Sequence, residues 1–448
     1  MKVAKFGGSS LANVAQIQKV GAIIESDPKR KFIVVSAPGK RDNDDFKVTD
    51  LLLSLGTAYL DNKPYEEYFD MIMTRFSEII NGLEIPSHIT VDIKESIEAI
   101  LSSNQSSDLK LESLKSIGED SSAKILSAYL NTIGLKAKYV NPQEAGIMVS
   151  NEPGNAQILP ESFPVLYALR EHEGILVIPG FFGYTKEGDL ITFSRGGSDI
   201  TGSIVAAGIK AELYENFTDV DSVFTVNPNI VSNPKEIITL TYKEMRELSY
   251  AGFSVFHDEA LIPAFKEKIP VCIKNTNNPT ARGTMIVSER IPSEDCVAGI
   301  ASDSGFSSLY VSKFLMNREL GFGRKLLSIL EDESVSFEHA PSGIDDMSVI
   351  IRENQLTKEK EDIILRRISD ELHADTVSIN HGLALIMVVG EGMTSTVGIA
   401  HKATTALAEA NVNIEMINQG SSEVSMMFGI KAEGLERATK SLYSTYFE

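Results

Sequence analysis

The sequence predicts an α/β protein, a mainly parallel sheet covered by helices on both faces, followed by two smaller α+β modules. Three observations carry this reading. Short β-branched or aromatic runs ending in glycine or proline alternate with stretches of helical period. The runs are too uniformly apolar for a sheet with one wet face, which marks a parallel sheet buried on both sides. The last third of the chain repeats itself.

Strands are expected at residues 3–6, 32–35, 175–178 and 271–273, and helices at 11–24, 121–132 and 201–209. Residues 46–135 read as mostly helix, with turn breaks at Asn81-Gly82 and at 102–107. Their polar loops are a natural place for a lid. The polar, proline-containing stretch Arg290-Ile-Pro-Ser-Glu-Asp295 suggests a boundary, giving domains at 1–295 and 296–448.

A shift of 77 positions places Gly321 on Gly398, Lys325 on Lys402, Leu330 on Leu407, Val335 on Val412, Glu338 on Glu415, Gly343 on Gly420 and Ser348 on Ser425 without a gap. Two copies of one module, near 305–375 and 380–448, is the economical reading, with strand exchange between them allowed. Ile399, Ala403, Ala406, Leu407 and Ala410 have helical spacing, and alternation follows in Val412-Asn-Ile-Glu-Met-Ile417 and in Val424-Ser-Met-Met-Phe428. Each copy is a β-α-β-β type unit, with Met426 and Met427 in strand core.

With 448 residues the chain exceeds the size of a single core. Lys plus Arg total 42 against 62 Asp plus Glu, a formal charge of −20, so nucleic acid and anionic membrane surfaces are disfavoured as partners. Cys272 and Cys296 show neither a CxxC pattern nor metal-ligand spacing, which disfavours a disulfide framework and a structural zinc. The first residues lack the apolar stretch of a signal peptide, and no run reaches the roughly 20 apolar residues of a membrane helix. A cytoplasmic protein is expected.

Three polar constellations follow strands. In Lys5-Phe-Gly-Gly-Ser-Ser10, Gly7 and Gly8 let backbone N–H groups approach an anion, and Lys5 adds a mobile charge. The P-loop spacing is absent, so an ordinary strand-to-helix turn stays open. In Ser194-Arg-Gly-Gly-Ser-Asp199, Arg195 offers a fork for a carboxylate or phosphate, while Ser198 and Asp199 are good helix N-caps. Thr218-Asp-Val-Asp-Ser-Val-Phe-Thr225, followed by Asn227-Pro-Asn229, could meet a base, a ribose or a hydrated cation, or be a solvated turn. Two Gly-Gly turns flanked by Lys or Arg favour a shared anion site over coincidence.

These segments, with VVSAPG at 34, Gly118-Glu119, PGFFG at 179 and NPTARGTMI at 278, resemble the aspartokinase family of the amino-acid kinase superfamily along nearly the whole chain. The tail beginning at Gly390 is similar to that family's regulatory ACT modules, which are ferredoxin-like. The resemblance implies an amino-acid-kinase-type catalytic domain and ATP-dependent phosphorylation of the side-chain carboxylate of L-aspartate, the first step of lysine, threonine and methionine biosynthesis. It implies that Glu119 takes the α-ammonium and Arg195 the α-carboxylate, with Thr49, Phe181 and Ser198 lining the pocket. Lys5 would stand between substrate and ATP phosphates, and Asp199 would hold Lys5 or a water on Mg2+. ATP would meet Lys5, Gly7, Gly8, Ser9, Thr218, Asp219, Phe224, Asn229 and Ser254, with Mg2+ bridging phosphate oxygens and no protein ligand assigned to it. A carboxylate nucleophile is already ionised at pH 7, so catalysis would be positioning and charge neutralisation.

Two departures stand out. Ser254 replaces a lysine of the family pattern, and Asn229 replaces an arginine, so two cations toward ATP are missing; Lys40 and Lys243 are the substitutes that position in the sequence allows. His257 reads as structural. The ACT resemblance implies a homo-oligomer and an amino-acid effector near Met316, Phe322, Gly323, Phe337, Glu338 and Asp345, facing Asn418, Ser421 and Ser422 of a second copy. Lysine is preferred over threonine because Glu338 or Asp345 could receive its ammonium. The chain ends soon after the second copy, which points to a monofunctional enzyme. The competing readings are a same-fold kinase for glutamate, acetylglutamate or a nucleotide, and a sensor that binds without turnover.

Overall fold

Strand β1 (Lys2–Phe6) buries Val3, Ala4, Lys5 and Phe6 because it has a parallel neighbour on each side and helices over each face. The computed structural model describes residues 1–253, 258–290, 296–420 and 424–448. Two compact units result: Met1–Val223 with Glu236–Arg246 and Ser254–Arg290, and Phe224–Lys235 with Glu247–Phe253 and Ile291–Glu448.

After β1 come a 3-10 turn over Gly8–Leu11, α1 (Val14–Glu25) and β2 (Arg30–Val35). Four helices follow, α2 (Val48–Leu60), α3 (Glu66–Gly82), α4 (His88–Ser102) and α5 (Ser107–Thr132). The chain continues through β3 (Ala137–Tyr139), α6 (Pro142–Ala145), α7 (Ser162–Ala168), β4 (Ile175–Pro179), the hairpin β5 (Phe182–Tyr184) and β6 (Leu190–Thr192), α8 (Gly197–Gly208) and β7 (Leu213–Thr218). Next are β8 (Val223–Phe224), β9 (Glu236–Ile237), β10 (Thr239–Thr241), α9 (Tyr242–Tyr250), α10 (Ile262–Lys266), β11 (Val271–Asn275) and β12 (Thr284–Val287).

The main sheet runs β10-β12-β11-β7-β1-β2-β4-β3, and every adjacent pair is parallel except β11 with β12. Ala4 and Phe6 share one core with Ile33, Val35, Val177 and the apolar faces of α1 to α5. Alternation sends Lys5 to the other face, toward α8. Arg30 on β2 reaches past β1 to Glu215 on β7 with paired hydrogen bonds of 2.7 and 3.0 Å, both side chains buried. Removing one partner of such a pair costs about 3–5 kcal/mol, so it locks the order of the central strands.

Two helix starts differ from the expectation. The helix after β1 begins at Val14, not Leu11, because Gly8–Leu11 forms a tight turn first and Asn13 caps the helix by accepting from Gln16 N at 3.0 Å. Gly196, not Ser198 or Asp199, precedes α8 at the cap position, at φ +80, a region open to glycine at little cost. Ser198 and Asp199 fall inside the first turn, where their side chains are free for other work.

The second unit contains β13 (Gly299–Ser312), α11 (Phe322–Asp332), β14 (Asp346–Arg352), α12 (Lys358–Leu372), β15 (Thr376–Val389), α13 (Ile399–Glu409), β16 (Ile414–Asn418), β17 (Ser425–Lys431) and α14 (Leu435–Phe447). Its strands form one antiparallel sheet, β14-β13-β15-β17-β16. The two copies correspond element by element, and each adds a second helix to the expected β-α-β-β unit. In the first copy the counterpart of β16 is reduced to isolated bridges at His339–Ile350 and Ser342–Met347.

Two cores lie under this sheet. One joins Leu309 and Val311 of β13 to α11, β14 and α12, with Val377 and Ile379 of β15 packed against it. The other joins Val297 and Ile300 to the far half of β15, α13, β17 and α14. Each long strand therefore serves both cores. Met426 and Met427 are buried in β17, and Cys272 and Cys296 are free thiols. Among the described residues no helix is long and apolar enough to cross a membrane.

Candidate active site

In a parallel sheet, ligand sites form beyond the carboxyl ends of the strands where the chain order reverses, here on either side of β1. Gly7 and Gly8 leave β1 at that edge. Gly7 N donates to Phe217 O at 3.1 Å, and Gly8 O accepts from Gly39 N at 2.8 Å in the turn after β2. A Cβ on Gly8 would lie 3.0 Å from Ala37 O, and one on Gly39 would lie 2.7 Å from Gly8 C. Only two glycines permit this contact, which keeps side chains out of the space above the turn.

Helix α5 approaches as closely. A Cβ on Gly118 would stand 2.5 Å from Ala37 Cβ, so the glycine lets the helix deliver Glu119 to the strand ends. Glu119 is buried, its Oε2 has no hydrogen-bond partner among the described residues, and burial raises its pKa to about 8. The Ala37 N–H, the charge of Lys5 and the Ser198 hydroxyl pull in the opposite direction. A buried carboxylate with an empty oxygen is a receptor for a cation or a donor.

Lys5 Nζ lies 2.5 Å from Asp199 Oδ1, which also accepts from Asn216 Nδ2 at 2.7 Å. Ser198 is buried one residue earlier on α8. Arg195 is exposed and forms no ion pair among the described residues. Phe181 holds the left-handed backbone at φ +78, its N–H bonded to Thr201 Oγ1 at 3.0 Å. Thr49 is half-buried in the first turn of α2. Lys5, Glu119 and Ser198 are thus brought together, with the Gly-Gly turn on one side and Arg195 on the far end of the α8 turn.

The third constellation is looser. Thr218 Oγ1 donates to Asp219 Oδ1 at 3.2 Å, Asp221 Oδ1 accepts from Asn275 Nδ2 at 2.7 Å, and Asp219 is exposed. Phe224 and Asn229 belong to the second compact unit. Ser254 and His257 lie outside the described residues. Among the described residues no three His, Cys, Asp or Glu side chains converge as a metal group.

Sequence reasoning missed Arg75 and Asn216. Arg75 interrupts the apolar stripe of Ile72, Phe76, Ile79 and Ile80 on α3, and its Nη1 donates to Gly39 O at 3.0 Å. Asn216 is a buried polar residue in the otherwise closed strand β7. A charged or amide side chain on an apolar face was the available signal in both cases.

In the second unit, Met316 and Phe322 are buried in the first copy's core, with Gly323 following Phe322 in α11. Phe337 is exposed. Glu338 Oε1 accepts from Arg352 Nε at 3.2 Å, and its other oxygen from the Tyr250 hydroxyl. Asp345 Oδ1 accepts from Leu315 N at 2.8 Å. Asn418 ends β16 with its amide 3.5 Å from His339 Nδ1, while Ser421 and Ser422 lie outside the described residues.

The model of the Amino acid kinase family matches residues 1–275, and that of the ACT domain matches 386–446. Aspartokinase 3 of Bacillus subtilis (strain 168) is 56% identical over 448 residues, covering 100% of this chain and 99% of its own length. The chain belongs to the aspartokinase family. The fold agrees with solved aspartokinases: the Clostridium acetobutylicum aspartate kinase superimposes with a TM-score of 0.88 at 41% identity, and the E. coli aspartokinase III, solved with aspartate and ADP, with 0.82 at 25%. Both cover 100% of each chain. In this aspartokinase-family chain the Gly-Gly turn, Lys5, Glu119 and α8 fall at the edge where a doubly covered parallel sheet puts its ligands.

Proposed function

We propose that this chain transfers the γ-phosphoryl group of ATP to the side-chain carboxylate of L-aspartate, giving 4-phospho-L-aspartate and ADP. The observation that carries the reading is Glu119, a buried carboxylate with one unpartnered oxygen, close enough to Lys5 to feel its charge. A short acidic amino acid has the matching groups.

Its α-ammonium supplies the donor that Glu119 Oε2 lacks, and its α-carboxylate fits the fork of Arg195. Thr49, Phe181 and Ser198 line the pocket between them. The side-chain carboxylate then points toward Lys5 and the turn of Gly7, Gly8 and Ser9, whose N–H groups and the Lys5 ammonium neutralise the transferring phosphoryl oxygens. Asp199 acts as a positioning residue by anchoring Lys5. Thr218, Asp219, Phe224, Asn229 and Ser254 are assigned to the nucleotide.

Mg2+ fits this donor set as an ion carried on ATP oxygens and water, since it is commonly bound by one or two carboxylates at most. When bound it shares the phosphate charge. Asp199 Oδ2, which receives no hydrogen bond among the described residues, is the oxygen that would reach a metal-bound water.

Residues 1–295 would form the catalytic domain and 296–448 the tandem regulatory modules of a cytoplasmic homo-oligomer. Lysine is the preferred feedback effector, in a chain that opens lysine, threonine and methionine biosynthesis. Of the two acidic candidates, Asp345 suits the effector's ammonium better, because Glu338 is already engaged by Arg352 and Tyr250.

The test is ADP release by the purified full chain with ATP and Mg2+, comparing aspartate, glutamate and no acceptor. Release that depends on aspartate alone is expected. Release with glutamate, or none with any acceptor, would overturn the reading in favour of another same-fold kinase or a sensor.

A further inference from the structure

The turn after β2 carries a cation with no commitment elsewhere. The chain leaves Val35, packs Gly39 against Gly8, and returns to α2, where Val48 N donates to Pro38 O at 3.2 Å. Arg75 holds this return from below, with Nη1 on Gly39 O at 3.0 Å and Nη2 on Asp45. Arg41 closes on Asp45 at 3.0 Å and on Glu78 at 2.9 Å. Both arginines are therefore spent on the shape of the loop.

Lys40 is not. It follows Gly39 directly, is exposed, and makes no hydrogen bond or ion pair among the described residues. Gly39 Cα is within 3.2 Å of where a Cβ on Gly8 would stand, so Lys40 is rooted at the glycine turn itself. Lys47, equally exposed and unengaged, sits at the other end of the loop as the residue before α2, on the side that leads to Thr49.

The phosphate side of the site is short of positive charge. The chain carries a formal −20, and Lys5, the buried cation at the end of β1, is already compensated by Asp199. A nucleoside triphosphate brings several negative charges to that turn, and point charges from lysine are well suited to such oxygens.

We infer that Lys40 contacts the polyphosphate of the nucleotide, carried there by the Gly39 turn that Arg75 anchors. The inference rests on the nucleotide-dependent reading of the site given above. Lys40 thereby supplies nucleotide charge that Ser254 and Asn229 do not offer.

The test uses the full chain with saturating aspartate or ATP in turn. Lys40→Ala should raise the ATP KM about tenfold or more, the scale of one charge-assisted contact, and leave the aspartate KM within about twofold. Lys40→Arg should recover most of the loss, and Lys47→Ala should change the ATP KM less than about twofold. Calorimetry should show Lys40→Ala weakening MgADP but not adenosine. An unchanged ATP KM, an equal effect from Lys47→Ala, or a parallel loss of adenosine binding would each overturn the assignment. The two readings fail separately: wild-type protein without aspartate-dependent ADP release refutes the activity, whereas an active wild type with an indifferent Lys40→Ala refutes only the contact.

Discussion

Lys5 Nζ stands 2.5 Å from Asp199 Oδ1, and the ammonium is largely withdrawn from solvent. Asn216 donates to the same oxygen at 2.7 Å, so the carboxylate is itself held and the lysine is aimed before any ligand arrives. Preorganised charge of this kind is where much of a phosphotransfer rate resides. Lys5→Ala should lower kcat about 10²-fold or more, by comparison with removal of one donor from a preorganised site. Steady-state ADP release, with circular dichroism to confirm folding, measures this. Wild-type turnover in a folded variant would remove Lys5 from the mechanism.

Glu119 makes a pH prediction. Its pKa, raised by burial to about 8 from an ordinary 4.5, means that it is mostly protonated at neutral pH in the free protein. An ammonium at Oε2 favours the ionised form, so aspartate binding below pH 8 should release a proton, and affinity should rise as pH goes from 6.5 to 8.5. Titration calorimetry in two buffers of different ionisation enthalpy reads the proton directly. Glu119→Gln should abolish the release and weaken aspartate binding. Because the folded pKa is the higher one, Glu119's contribution to stability is most favourable below 4.5 and is lost as pH rises through about 8. Glu119→Gln should accordingly gain more in Tm at pH 8.5 than at pH 5.

Arg195 is exposed and unpaired among the described residues, and so can meet a carboxylate without first giving up a partner. Arg195→Ala should raise the aspartate KM about tenfold or more while the ATP KM stays near wild type. Arg195→Lys should restore little, since a point charge cannot reproduce a planar fork. A change confined to the ATP KM would reverse the placement.

Asp345 caps the Leu315 N–H beside Met316, one residue before β14. Asp345→Asn keeps much of that hydrogen bond but removes the charge, so half-inhibition by lysine should need about tenfold more effector, with uninhibited kcat unchanged. An inhibition curve identical to wild type would leave the residue out of the effector site. Parallel titrations with threonine decide between the two amino acids.

Much of the frame was legible because it follows from periodicity. The shift of 77 that aligns Gly321 with Gly398 also aligns the starts of β13 and β15 at Gly299 and Thr376, of α11 and α13 at Phe322 and Ile399, and of α12 and α14 at Lys358 and Leu435. Apolar runs located β1, β2, β4 and β11 to within two residues, whereas β7, which carries Glu215 and Asn216 beside β1, is not an apolar run and is absent from the expected strands. What stayed hidden was set by contacts between distant segments. Nothing local says that Gly196 turns left-handed and displaces Ser198 and Asp199 from the cap, or that Leu11 belongs to a tight turn ahead of α1. Arg75 breaks an apolar helix face, but nothing near it in the sequence says that its guanidinium holds Gly39 O. Of the residues named for the site, Lys5, Glu119 and Ser198 lie close together, Phe224 and Asn229 cluster with the second unit, and Ser254, Ser421 and Ser422 fall outside the described residues.

The long strands β13 and β15 have a consequence for how the tail can be inherited or engineered. Val297 and Ile300, ahead of the first copy, wall the core of the second, while Val377 and Ile379, at the head of the second, cover the first. The copies cannot be traded like cartridges. Cutting the chain between them would strip a strand from each, so a truncation meant to delete one module should unfold both, and chemical denaturation of the tail should follow one transition where two independent domains would give two.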